Sequence, residues 1–166
     1  MATELQFIKS ASANGDATVS VTDCFSANYD VYKIVINNVV NSGGASAFLR
    51  FIDSGGSTIT ASDYDRAVQG LYSIHSSSSS KGNSTSISSL AFYQTTGGGL
   101  VCYVYNPFSS SDYTFVSGQS AYLEINYLAG TKFIGVLKQS ASMTGFSLNL
   151  TGQTFTTMNI SVYGVK

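Results

Sequence analysis

The densest group of side chains able to do chemistry is Asp63-Tyr64-Asp65-Arg66. In an extended segment the two acids, at i and i+2, share one face. Carboxylates about 5–9.5 Å apart are the machinery of glycoside hydrolysis, and such a pair can also contact a cation or a sugar. The segment lacks the further ligands and the glycine of an EF-hand loop. A turn with an ion pair, Arg66 being the nearest cation, outweighs both readings. His75 is the one histidine and borders the run Ser76 to Ser80. A serine nucleophile needs a base held rigid by a third group. A flexible serine run offers hydroxyls and no orienter, so a surface histidine is expected. Cys24 and Cys102 are far apart and outside any CxxC. Two buried free thiols are expected, with a single disulfide as the alternative. One histidine and two scattered cysteines do not make a structural zinc site. Gly97-Gly98-Gly99 precedes a strand, whereas a phosphate loop opens a helix. No catalytic residue, cofactor or metal is assigned.

The elements that would position these groups are strands. Tyr29 to Val40, YDVYKIVINNVV, is the longest run rich in β-branched and aromatic residues, without Gly or Pro. Such residues fit a pleated, half-buried surface. Apolar residues on both parities imply that both faces are at least partly covered. A central strand is expected, with a bend or bulge at Asn37-Asn38. Further strands are expected over 4–9, 17–22, 46–53, 68–75, 87–93, 100–106, 112–116, 121–128, 131–138, 143–150 and 156–165. A return strand is expected over 58–60. Turns are expected at Asp53 to Ser57, Ser62 to Asp65 and Ala129-Gly130, and Asn106-Pro107 ends a strand. The serine run with Lys81-Gly82-Asn83 is expected to be an exposed, mobile loop. About ten to thirteen short strands at this spacing give an all-β fold, an antiparallel, jelly-roll-like β-sandwich in a single domain over 1–166.

Charge sets the class of partner. Charged residues are 10% of the 166, with a net charge of −1, against about 25% in an average soluble protein. Such a surface cannot grip a polyanion, which argues against nucleic acid. It is also weakly protected against association, so assembly with copies of itself is expected. Cover by hydroxyls on a monomer is the alternative. MATELQFIKS has no apolar core of a secretory signal, and no apolar run reaches membrane-spanning length. Synthesis in a cytoplasm is expected.

Four motifs carry a resemblance: YDVYKIVINNV, LRFIDSGGS, the YNP at Tyr105 to Pro107, and the closing ISVYGVK. Together they resemble small virion proteins of tailed bacteriophages, most of all those of marine cyanobacterial phages, over about Thr18 to Lys166. The family also includes tail-fibre ends. The resemblance implies a β-sandwich, homotrimeric assembly and a structural or adhesive role without enzymatic activity. It carries over no catalytic residues. The long repetitive shaft of a full fibre is missing, which favours a compact accessory protein.

The leading expectation is therefore a non-enzymatic virion protein, a head decoration or tail accessory protein contacting itself and other virion proteins. The alternative is a receptor-binding tip that recognises host surface glycans. Its recognition loops would hold Asp63, Tyr64, Asp65, Arg66, His75, Lys81 and Asn83. A hydrolase using Asp63 and Asp65 is the third reading.

Overall fold

A computed structural model describes residues 4–74, 76–88, 90, 97–124 and 126–166. Strands follow one another as β1 (Leu5–Ala13), β2 (Thr18–Val21), β3 (Val31–Asn41), β4 (Phe48–Asp53), β5 (Tyr64–Tyr72) and β6 (Ser78–Ser84). Then come β7 (Gly98–Tyr105), β8 (Thr114–Glu124), β9 (Tyr127–Leu137), β10 (Met143–Asn149) and β11 (Phe155–Val165). Every strand pairing is antiparallel. The described residues contain no helix. The all-β, two-sheet sandwich expected from the spacing of turn signals is the observed fold.

The two layers are unequal. One sheet has eight strands in the order β1-β11-β3-β7-β8-β9-β5-β6, the other three in the order β2-β10-β4. Alternation decides which side chains meet between them. Val19 and Val21, Leu49 and Phe51, and Phe146 and Leu148 point inward from the small sheet. They join Tyr32, Ile34, Cys102, Val104, Ile160 and Val162 of the large sheet in one buried cluster. Phe25 lies in the same cluster, edge-on to Tyr32 at 4.8 Å and stacked on Phe146 at 6.0 Å. Edge-on and offset contacts of this kind suit the ring quadrupole.

The long strand lies inside the large sheet, as its composition predicts. Tyr32, Ile34 and Ile36 are buried, while Val31, Lys33 and Val35 are half-covered. Its pairing with β7 slips between Ile36 and Val39, and Asn38 takes φ 52°. That is the expected bulge at Asn37-Asn38, where an asparagine tolerates the left-handed region.

Five expectations are corrected. Ser76 to Ser80 is not a loop throughout: β6 runs along β5 in unbroken register from Ser78 to Ser84. Backbone pairing with β5 overrides the poor strand propensity of serine. Ser62 to Asp65 is not all turn, because Tyr64 opens β5 and is fully buried. The hairpin does not turn at Ala129-Gly130: Glu124 pairs with Tyr127, and Ala129 and Gly130 both sit inside β9. The strands expected over 112–116 and 121–128 are redrawn: residues 114–116 and 121–124 lie in one strand, β8, which crosses Ser117-Gly118 without a break, and Tyr127 and Leu128 open β9. The return strand over 58–60 reduces to an isolated bridge, Ile52 to Thr58. Of the strand expected over 87–93, Ile87 bridges Leu49, and residues 89 and 91–93 lie outside the described residues.

Candidate functional site

The seven residues expected in recognition loops divide by which way the backbone turns them. Tyr64 points inward. Its hydroxyl accepts from the Phe51 N–H at 3.0 Å and donates to the Ile59 carbonyl at 3.2 Å. Its ring stacks on Phe51, and burial pushes the phenol up to about 12. It is a core residue. Asp63 accepts from Gln139 Nε2 at 2.7 Å, and its carbonyl accepts the Lys138 N–H. Asp65 pairs with Lys138 Nζ at 3.1 Å rather than with Arg66. Arg66 instead donates to Ser80 Oγ at 2.8 Å. The two carboxylates therefore have separate partners, Gln139 for Asp63 and Lys138 for Asp65. His75 lies outside the described residues.

β5 and β6 bring four of the seven together. Asp65 faces Asn83, Arg66 faces Gly82, and Ala67 faces Lys81 across the pair. These residues sit on the rim of the large sheet, on strands rather than loops. No group of three or more His, Cys, Asp or Glu able to hold a metal ion occurs among the described residues. Arg50 stands on β4 beside an aromatic ring. It lies 4.9 Å over the Phe48 ring and donates to the Thr85 carbonyl and hydroxyl. Both cysteines are free and buried, with thiols pushed up to about 12 by burial. A thiol held protonated is a poor nucleophile.

The feature that sequence reasoning missed is the outer face of the large sheet. Strand register lays its outward residues in rows. One row runs Leu5, Val165, Val31, Tyr105, Phe115, Val136 and then Asp65. The next runs Phe7, Tyr163, Lys33, Tyr103, Ser117, Ile134 and then Ala67. Large apolar side chains stand open to solvent there: Phe7 is 52% exposed, Phe115 47% and Ile134 60%. Phe7 and Tyr163 meet edge to face at 5.8 Å, and the Tyr105 and Ser117 hydroxyls lie 3.1 Å apart. A shallow depression of about 830 Å³ follows the rows, with Gly82 and Gly135 among its lining residues and Tyr105, Phe115 and Lys81 around it.

The small sheet treats its outer face differently. Thr18, Ser20, Ser147 and Asn149 stand there. Thr18 donates to the Asn149 side-chain oxygen at 2.9 Å, and Asn149 donates to Ser147 at 3.1 Å. Antiparallel sheets with one solvated face alternate apolar-in and polar-out. Phe48 and Arg50 share that face, and Ser147 and Asn149 are buried on it, so the small sheet's outer face is mixed and partly covered, whereas the large sheet's outer face is apolar and open. The signal is present in the sequence: in Leu100 to Tyr105 both parities are apolar, a pattern that by default reads as core on both faces.

No family model matches the sequence, and no curated protein matches it. Among solved structures, a chain of the infectious bursal disease virus Gx strain structure is 14% identical with a TM-score of 0.18. The match covers 98% of this chain and 39% of that one. A chain of the Gt strain structure is 12% identical with a TM-score of 0.19, covering 99% and 42%. This chain thus spans about two fifths of each, and likeness at that level carries no argument about it.

Proposed function

We propose that the chain is a non-enzymatic structural protein of a tailed phage particle, a head decoration or tail accessory protein that works by subunit assembly and surface contact. The observation that carries this reading is the uncovered outer face of the large sheet. Soluble monomers rarely leave contiguous apolar patches wider than a few hundred Å². A side chain such as Ile134 or Phe115 contributes about 1.5–3 kcal/mol when taken from water. The low charge of the chain supports the reading, since it offers little resistance to contact with neighbours. The resemblance of the four motifs to phage virion proteins supplies the particle, the homotrimer and the expected partners.

Purified virions digested and analysed by mass spectrometry test the proposal. Peptides such as that ending at Arg66 are expected at a stoichiometry comparable to other structural proteins. Their absence from particles of a phage that encodes the chain overturns it.

A second reading is favoured by one observation. Asp65 and Lys81 line the same depression as the exposed Phe115 ring, with Asn83 opposite Asp65, and polar groups flanking an aromatic surface suit a sugar. Glycan-array and cell-adsorption measurements separate the two. Binding lost in Asp65→Ala and Asn83→Ala supports a receptor-binding tip, and no signal on either assay retires it.

A further inference from the structure

We infer that the outer face of the eight-stranded sheet is the surface on which copies of this chain meet, a second copy covering the rows around Tyr103, Phe115 and Ile134. This deepens the assembly reading and rests on it only in taking the partner to be a copy of the same chain.

Three observations choose the occupant. The first is size. Seven spacings of about 4.8 Å and about seven residues along each strand make a face of about 34 by 23 Å, or about 800 Å² in plan. A stable interface covers about 800 Å² on each partner. The second is layout. Polar residues flank the apolar rows on two sides: Asp65 and Asn83 toward the β6 edge, and Gln119, Lys132 and Gln69 along the next row. Beyond that row Leu71, Leu123 and Leu128 are again exposed, and apolar surface interrupted by polar residues is found at protein interfaces. The third is charge. Net charge is −1 over 166 residues, so two copies approach with little repulsion. On this face the cations Lys33, Lys81 and Lys132 stand on three different strands, β3, β6 and β9. None is the register partner of another, so copies can meet without stacking a cluster of like charges. A strongly acidic or basic partner would find no matching field.

The test uses the full chain, with mass read by light scattering over a hundred-fold concentration range. Ile134→Lys and Phe115→Lys place a charge in the centre of the rows. Ile134→Thr is a gentler second variant, and Ser20→Lys on the small sheet is the control. Both target side chains are exposed in the single chain, so thermal melting checks that the fold survives. The wild type and Ser20→Lys are expected to be oligomeric. The lysine variants should weaken association at least tenfold, toward the 17.5 kDa monomer. Ile134→Thr should fall between. An oligomer indifferent to all three face variants overturns the inference and leaves assembly by another surface standing. A wild type that stays monomeric throughout overturns both.

Discussion

The Tyr64 hydroxyl is buried with its ring, and its two hydrogen bonds tie the start of β5 to β4 and to the segment after it. Tyr64→Phe keeps the stack on Phe51 and removes the acceptor for a buried N–H. Leaving such a donor unpaired costs about 1–3 kcal/mol, which urea unfolding should show as a lower midpoint at unchanged slope. The same residue sets a pH limit together with the two thiols. Cys24 and Cys102 rise from an ordinary 9.0, and Tyr64 from 10.0, each to about 12. Their folded values lie above their unfolded ones, so the native state holds protons that the unfolded chain releases. Their contribution to stability is complete below about pH 9 and is lost as pH climbs toward 12. Melting temperatures should be insensitive to these groups at neutral pH and fall steadily above pH 9; Cys102→Ala should flatten part of that fall. By contrast the Asp65–Lys138 pair is on the surface. Lys138→Ala should change stability by less than about 1 kcal/mol.

At the scale of elements, close approach explains why β8 and β9 carry glycines. A Cβ at Gly118 would stand 2.5 Å from Cys102 Cβ and 2.6 Å from Phe133 Cζ. Phe133, the register partner of Gly118, fills the space that the missing side chain leaves. Gly118→Ala should therefore cost about 1–3 kcal/mol through overpacking, whereas Ser20→Ala should stay within about 0.5 kcal/mol. Both follow from chemical denaturation. These glycines also mark where the sequence misleads. Ala129-Gly130 has turn residues at hairpin spacing, yet Gly130 sits against Ser120 inside the ladder. Period-two alternation located most of the strands because it reports burial directly. β6 escaped because six of its seven residues are exposed and none is apolar, so no apolar pattern records them. Its existence is written in β5, the strand it borders. The acids at 63 and 65 were legible as a pair, but their partners Gln139 and Lys138 come from more than seventy residues away, a distance that no local pattern encodes.

For the whole molecule, the two sheets divide the labour. The small sheet's outer face mixes hydroxyls and amides with Phe48 and Arg50, and the large sheet's outer face carries open aromatic and aliphatic rows. A shortage of charge in the composition favours association, and the doubly apolar strands mark the location proposed for it. The default that apolar means core hid that location, because an antiparallel strand is assumed to own one wet face. Copies that meet on that face would leave those rows dry. Oxidative footprinting of the wild-type chain, dilute against concentrated, reads this most directly. Protection on concentration is predicted at Phe7, Tyr103 and Phe115, with Phe48 on the small sheet unchanged. Equal labelling of the three aromatics at both concentrations, in a sample shown to be assembled, would contradict the account.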